Sequence, residues 1–304
     1  MNDAFLTSHA PPAEPAGEAL ATTSMATTSM PANRVRVTPA AAVAMVVIGL
    51  YLVAALFAHW IAPYGQAEIV SRVPFEAWGG PFLLGTDQLG RDIFSRLIYG
   101  AQNTIGIAVA TTGIAFAIGI FLGCFAALSS GWVDHALSRS VDALMAIPQL
   151  IFALVLLAIF GTSILNLILI MAVIDSTRVF RLSRSLAMGI AAQEFVEVAQ
   201  LRGESKLWIL LHEILPNMTA TIVAEFGMRF CFVFLTIAAL SFLGVGIQPP
   251  AADWGSMVRE TATLITFGDP TPLLPALAIA ILTISVNVVI DWYVHRVGGL
   301  KDGH

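Results

Sequence analysis

Charged side chains within long apolar stretches are the residues of this sequence that could do chemistry. Asp175 and Arg178 are three residues apart, and Glu225 and Arg229 are four residues apart. A charge at the centre of a bilayer costs about 2.5–3.5 kcal/mol on insertion scales, so each of these groups needs a partner. Residues three or four apart share one face of a helix, and this spacing predicts two self-neutralising pairs. The alternative is that the four side chains line a polar path or contact a partner membrane protein, whereas Asp291 is expected at the membrane interface.

The other reactive residue types form no site that the sequence identifies. The six histidines are not paired at metal-ligand spacing, so no metal site is predicted. Cys124 and Cys231 lie in apolar runs and are expected to be packing residues without a disulfide. The chain has no Gly-Lys dipeptide and therefore no Walker A loop to hold a nucleotide phosphate. We predict neither catalytic nor cofactor-binding residues in this chain.

The composition is that of a membrane protein. Of the 304 residues 57% are hydrophobic and only 12% are charged, against about 25% in ordinary soluble domains. The formal net charge of −5 and the lack of a basic run give no reason to expect nucleic acid as a partner. Membrane lipid is the expected surrounding.

Hydrophobic segments long enough to cross a bilayer, which takes about 20 residues, organise the chain into an all-α polytopic protein. The six predicted spans are 38–61, 103–128, 140–160, 164–186, 218–245 and 271–294. The other predicted segments are a disordered tail at 1–37, extracytoplasmic segments at 62–102 and 246–270, and a C-terminal tail at 295–304. The tail at 1–37 is rich in Pro, Ala, Thr and Ser, which cannot bury enough apolar area to fold.

The distribution of Lys and Arg predicts the orientation of these spans. Eleven of the fifteen basic residues fall on the side of the two chain termini, and four fall on the other side. By the positive-inside rule both termini, and residues 193–216 between spans four and five, are expected in the cytoplasm.

Residues 193–216 are the most polar segment between two spans. Residues 193–202 have an apolar period close to 3.6 and predict a short amphipathic helix. Gly203 suits the left-handed position after that helix, and Ser205 can cap a second short helix. Pro216 is expected to stop or kink the second helix before the next span. The prediction is a helix–glycine–helix elbow outside the membrane.

A second motif, at 85–100, reads GTDQLGRDIFSRLIYG. Asp87 is expected to cap a helix starting at Gln88. Asp87 with Arg91, and Asp92 with Arg96, are then i,i+4 pairs on one face of that helix. The predicted element is an amphipathic helix at the membrane surface that leads into the second span.

The elbow resembles the E-A-A…G…I-L-P signature of importer-type ABC transporter permeases. The matching residues are Glu197, Ala199, Gly203, Ile214 and Pro216, with Val198 where the family most often has Ala. In that family the elbow is a coupling helix that seats in a groove of an ATPase subunit.

The motif at 85–100 is similar to the G-T-D-x-x-G-R-D-x-x-S-R stretch of the dipeptide/oligopeptide/nickel subfamily. Its candidate residues are Gly85, Asp87, Gly90, Arg91, Asp92 and Arg96, with Gln102 in place of a common Arg. The loop SFLGVGIQPPAADWGSM at 241–257 resembles the same subfamily, and adds Pro250, Trp254 and Gly255. Near the C-terminus Asn287 and Asp291 match N-x-x-G-D, but Ile290 replaces the glycine.

The resemblance implies a permease subunit of the bacterial cytoplasmic membrane. Its implied partners are a second, similar permease, two ATPase subunits that hold ATP and Mg, and an extracytoplasmic substrate-binding protein. The residues at 85–96 and 249–255 are the candidates for contact with that binding protein or for the pore side. Peptides are the expected substrate, with nickel or another small solute as the alternative.

A different class of protein stays possible from the residues alone. An ion-coupled carrier could use Asp175, Glu225 and Asp291 as proton or cation relays, but such carriers often show internal repeats, and none is found here. An intramembrane enzyme would need a nucleophile with a base, and apart from His59 at a span end no histidine lies within a predicted span.

Overall fold

The computed structural model describes residues 37–129 and 131–301, with side chains as far as Arg296, and is helical in these ranges. The helices in chain order are α1 Pro39–Leu56, α2 Ala58–Ile61, α3 Ile93–Leu128, α4 Trp132–Met145, α5 Gln149–Phe160, α6 Ile164–Ala191, α7 Glu194–Leu201, α8 Lys206–Ile209, α9 Leu215–Phe242, α10 Trp254–Thr261 and α11 Leu273–Lys301. A π-helical segment, Leu210–Ile214, joins α8 to α9, and a 3₁₀ helix, Ala262–Phe267, follows α10. The described ranges contain no β-strand, only an isolated bridge between Thr86 and Asp92. The predicted disordered tail lies, apart from Val37, outside the described residues.

The centre of the bundle is the parallel pair α3 and α6, with α9 packed against both. Small residues let the pair approach closely: a Cβ added at Gly119 would lie 2.5 Å from Cβ of Val179. Close backbone approach at small residues is the usual way in which helices associate inside membranes. Helices α1 and α11 pack on each other and on the outside of this centre.

Four helices of the described chain are long and apolar enough to cross a membrane: Pro39–Leu56, Ile93–Leu128, Lys206–Phe242 and Leu273–Arg296. A fifth crossing is possible if α4 and α5 together form one span. Helix α6 is long enough, with 28 residues, but it is not counted among these apolar helices because it carries the charged residues Asp175, Arg178 and Arg181. The fold is therefore all-helical with four or five strongly apolar helices.

The predicted third span at 140–160 is not one straight helix. Helices α4 and α5 meet at an angle of 90°, and Pro148 lies at the bend as the N-cap of α5. A proline disfavours helical conformation in the residue before it and removes a backbone donor, which explains the break. Sequence hydropathy missed the bend because it registers apolar length and carries no direction.

The predicted helix start at Gln88 is wrong. Helix α3 begins at Ile93 and is capped by Asp92, whose carboxylate accepts a hydrogen bond from the Ser95 backbone N–H at 2.7 Å. Residues 85–91 instead form turns, in which the Asp87 carboxylate accepts from the N–H groups of Leu89 and Arg91. The result is a second span that starts ten residues before its predicted start at 103.

Of the two outcomes predicted at Pro216, a stop or a kink, the stop does not occur. Pro216 lies in the first turn of α9, where its missing N–H is tolerated. The π-helical segment precedes it, so residues Lys206–Phe242 run as one helix of 37 residues. Helix α11 likewise continues past its predicted end at 294 to Lys301.

Candidate functional site

The elbow has the predicted local structure. Helix α7 ends at Leu201, and Gly203 follows with φ +82°, a left-handed conformation that favours glycine. The Gly203 N–H donates to the Gln200 carbonyl at 2.9 Å, which closes the helix end. Ser205 caps α8 by accepting from the Trp208 N–H at 3.2 Å. The predicted helix–glycine–helix elbow is thus present.

One face of the elbow packs against the ends of α3 and α6. Val196, Ala199 and Ile214 are fully buried there, beside Cys124 of α3 and Ala187 of α6. The ammonium of Lys206 also donates to the Leu128 carbonyl at the end of α3, at 2.9 Å. This inner face fixes the elbow on the bundle.

The opposite face of the elbow is apolar and exposed. Leu201 is 81% exposed, Leu207 60% and Val198 54%. Phe195 and Leu211 are also exposed and apolar. The motif residues Glu197 and Pro216 are exposed as well. Exposed apolar side chains grouped outside a hydrophobic core are typical of protein-binding surfaces. We name these five apolar residues, Phe195, Val198, Leu201, Leu207 and Leu211, the elbow ridge.

The motif at 85–100 folds into a buried ionic cluster. The Arg91 guanidinium donates to the Asp87 carboxylate at 2.6 Å, and Arg96 lies 3.4 Å from the same carboxylate. Both arginines also contact Glu260 of α10 at 3.2 Å. All four side chains are at most 7% exposed. Two positive and two negative charges neutralise each other, as buried ions require.

The glycines of this motif shape the turn that holds the cluster. Gly85 and Gly90 have φ of +75° and +72°. A Cβ added at Gly90 would collide with the Ser71 carbonyl oxygen. Asp92 does not pair with Arg96 as predicted, because its carboxylate caps α3.

The loop at 249–255 packs directly onto the same region. The Trp254 indole N–H donates to the Leu97 carbonyl at 2.9 Å, and a Cβ on Gly100 would lie 2.6 Å from the indole ring. Gly255 lies so close to α9 that an added Cβ would collide with the Ala238 carbonyl. Pro250 remains exposed, after a cis peptide bond from Pro249. The structure thus brings the two sequence motifs together into one packed unit.

Asp253 and Thr104 join this unit and were missed by sequence reasoning. The Thr104 hydroxyl donates to the Asp253 carboxylate at 3.0 Å, and the Ser256 N–H donates to it at 2.8 Å. Burial raises the pKa of Asp253 above its ordinary value, and the hydrogen bonds from these donors oppose that rise. Asp253 is the N-cap of α10, which the order Asp-x-x-Ser before a helix could have signalled. Glu260 carries no such local signal.

The two intramembrane charge pairs behave differently. Glu225 and Arg229 form the predicted pair, with 2.6 Å between Oε1 and Nε. Asp175 and Arg178 form no ion pair in the described part of the chain, and the predicted pairing is wrong there. Asp175 is fully buried, and within the described residues neither carboxylate oxygen has a hydrogen-bond partner.

Comparison with known proteins identifies the family of this bundle. Residues 119–298 match the family described as binding-protein-dependent transport system inner membrane component. The chain belongs to this family. The matched range includes α6, the elbow, α9 and the loop at 249–255, so the elbow lies within the part that defines these inner membrane components.

Two curated relatives extend the likeness to the motif at 85–100. The glutathione transport system permease protein GsiD of Escherichia coli O6:K15:H31 is 36% identical over 256 residues, 83% of this chain and 82% of the relative. The di/tripeptide transport system permease protein DppC of Pseudomonas aeruginosa UCBPP-PA14 is 33% identical over 259 residues, 83% of each chain. These relatives confirm the resemblance to permeases of the peptide/nickel importer subfamily and the inner-membrane location.

A solved structure, an amino acid ABC transporter with histidines, has 20% sequence identity and a TM-score of 0.45 to this chain. The alignment covers 68% of this chain and 99% of the other.

Proposed function

We propose that this inner membrane component is a permease subunit of an ATP-driven importer, and that it forms half of a path for peptides across the cytoplasmic membrane. The observation that carries the proposal is the elbow ridge, an exposed apolar surface on an elbow whose other face is buried in the bundle. The ridge is the surface on which an ATPase subunit docks. ATP and Mg are held by that subunit, and this chain transmits its movement.

The proposed topology has six spans, with both termini and the elbow in the cytoplasm. The spans are α1 with α2, α3, the bent pair α4 and α5, α6, α9, and α11. Support for α6 as a span comes from its length and position: its 28 residues lie along α3, and Asp175 faces the interior. Eleven basic residues on the side of the elbow against four on the other side support the orientation.

The proposed partners are a second, similar permease, two ATPase subunits and an extracytoplasmic substrate-binding protein. Because the side chains of Asp87, Arg91, Arg96 and Trp254 are buried, their proposed role is to support the surface that meets the binding protein. The exposed part of that surface contains Leu89 and Pro250. This assignment refines the sequence prediction, in which the buried side chains themselves were contact candidates.

The proposed substrate class is short peptides, including peptide-like thiols. The names of the two curated relatives, which give glutathione and di- or tripeptides, support this choice. A nickel complex or another small solute is the alternative within the same role.

Uptake into proteoliposomes tests the proposal. The chain is reconstituted with the partner permease, ATPases and binding protein that copurify with it, and labelled di- and tripeptides and glutathione are supplied on the binding-protein side. We expect uptake that requires internal ATP and is blocked by vanadate. Uptake that continues without ATP would remove the importer proposal and favour an ion-coupled carrier. ATP-dependent uptake of nickel but of no peptide would keep the role and change the substrate.

A further inference from the structure

An apolar groove on the outside of the bundle is not used by the proposed function. It lies between α1, α3, α9 and α11 and has a volume of about 360 Å³. Side chains such as Leu52, Val109, Val223 and Val289 line it. The groove is inside the part of the chain that crosses the membrane, where apolar surface is normally covered by lipid or protein.

The groove ends at a polar group that needs a partner. The indole nitrogen of Trp292, which lines the groove, is buried and has no hydrogen-bond acceptor among the described residues. A buried tryptophan N–H usually finds an acceptor. Tyr51, which also lines the groove, is satisfied, because its hydroxyl donates to the Ala278 carbonyl at 3.1 Å.

A positive charge stands beside that indole. The guanidinium carbon of Arg296 lies 5.3 Å from the centre of the Trp292 ring, and Arg296 is exposed. The position of Trp292 fits the edge of a bilayer: it follows Leu273 by about 28 Å of helix at 1.5 Å per residue, and the hydrocarbon core is about 30 Å thick. Tryptophan and arginine near helix ends are typical of the headgroup level.

From the groove, the indole and the arginine together we propose a phospholipid-binding site. One acyl chain lies in the groove, an ester carbonyl accepts from the Trp292 N–H, and the phosphate lies beside Arg296. The three parts follow the order of a phospholipid from tail to headgroup. A second permease subunit is the other occupant that could cover this face, and a failure of phosphatidylglycerol to bind in the test below would favour it.

Gly227 shows how the sequence keeps this groove open. A Cβ added there would lie 2.6 Å from the side chain of Ile290, so the glycine allows α9 and α11 to meet at the wall of the groove. Ala224, one turn earlier on α9, is a small lining residue. A large side chain at Ala224 would project into the groove and compete with an acyl chain.

Native mass spectrometry of the full-length chain in detergent tests the site, with phosphatidylglycerol as the probe. We expect bound phosphatidylglycerol on the unchanged protein. Trp292→Phe and Arg296→Gln should each bind it about three- to tenfold more weakly, as expected for the loss of one hydrogen bond or ion contact. Ala224→Phe should remove it. Trp60→Phe and Arg139→Gln, at exposed positions away from the groove, are the matched controls and should bind as the unchanged protein does.

A second lipid separates the tail from the headgroup. Diacylglycerol with the same acyl chains has the ester carbonyls but no phosphate, and should bind several-fold more weakly than phosphatidylglycerol. Equal binding of the two lipids would overturn the assignment of the phosphate to Arg296. Unchanged phosphatidylglycerol binding in Trp292→Phe and Ala224→Phe would overturn the site itself.

A second measurement tests the site if Ala224→Phe does not fold. It is the quenching of tryptophan fluorescence by phosphatidylglycerol with brominated acyl chains. The unchanged protein should lose more fluorescence to this lipid than Trp292→Phe does, because one quenched indole is absent from the variant. Equal quenching in the unchanged protein and in Trp292→Phe would show that no acyl chain lies at Trp292, and would overturn the proposal.

Discussion

Arg96 and Glu260 form a buried ion pair at 3.2 Å between the first turn of α3 and the last turn of α10. The two residues are 164 positions apart in the sequence, and Arg91 also contacts Glu260. The pair joins two segments that the sequence showed only as separate motifs. The motif at 85–100 and helix α10 are therefore fixed to each other at the start of α3.

Glu260→Gln should destabilise the protein strongly. Among the described residues the change leaves Arg91 and Arg96 with Asp87 as their one carboxylate partner, and breaking a buried pair on one side costs roughly 3–5 kcal/mol. The measurement is thermal unfolding of the purified chain in detergent, where Tm should fall clearly. Asp134→Asn is the control, because its bidentate pair with Arg184 is more exposed, at 19% for Asp134 and 28% for Arg184, so its loss should lower Tm less. Equal Tm losses in the two variants would contradict the buried-cluster interpretation.

Gly100→Val should disturb the contact between α3 and the loop at 249–255. Its Cβ would lie 2.6 Å from the Trp254 ring, and overpacking of this kind costs roughly 1–3 kcal/mol. Gly106→Val is the matched control on the same helix, where an added Cβ meets nothing within 4 Å. Tm and the monodisperse fraction on size-exclusion chromatography should fall for the first variant alone. A normal Tm for Gly100→Val would show that the indole can move aside.

Leu201→Asp should uncouple transport without affecting the bundle. Leu201 is 81% exposed on the elbow ridge, so a charge there removes apolar contact with the ATPase and leaves the core intact. We expect ATP-dependent uptake in proteoliposomes to fall at least about tenfold, equivalent to about 1.4 kcal/mol of docking free energy, with an unchanged Tm.

Gln200→Asp is the control for that variant. It adds the same charge to the same helix at an exposed polar position, and no apolar contact is lost. Uptake that is normal in both variants, with copurification of the ATPase unchanged, would show that the ridge is not the docking surface.

Asp175→Asn should keep or raise Tm. The carboxylate is fully buried and unpartnered within the described residues, and burying an unpaired charge costs more than burying a neutral amide of the same shape. Asp253→Asn is the comparison, because that carboxylate accepts from Ser256 and Thr104 and its loss should lower Tm. A large loss of Tm in Asp175→Asn would show that a partner of Asp175 is present in the folded protein.

Local signals predicted the local structures. Gly203 and Ser205 predicted the elbow, because a left-handed glycine and a capping serine determine the backbone within a few residues of themselves. The spacing of Glu225 and Arg229 predicted their pair for the same reason. The sequence of hydrophobic runs placed the long helices, and the family resemblance was confirmed by the comparisons.

Contacts between residues far apart in the sequence could not be predicted from local patterns. Asp87 was predicted to cap a helix, but its carboxylate contacts Arg91 and Arg96, which the distant Glu260 also binds. The helix starts at Ile93 instead. The prediction that Asp175 pairs with Arg178 was wrong, because their spacing shows only that both side chains lie on one face of the helix. Which neighbour a buried side chain meets depends on the packing of α6 against α3 and α9.

The absence of a break between the elbow and α9 has a mechanical consequence. The helix Lys206–Phe242, with its π-helical segment, has 37 residues and is about 55 Å long at 1.5 Å per residue. Its far end packs against the loop at 249–255. By geometry, a tilt of the whole helix by about 10° about its elbow end would displace that far end by about 10 Å. A small rotation at the elbow would therefore become a large displacement at the loop.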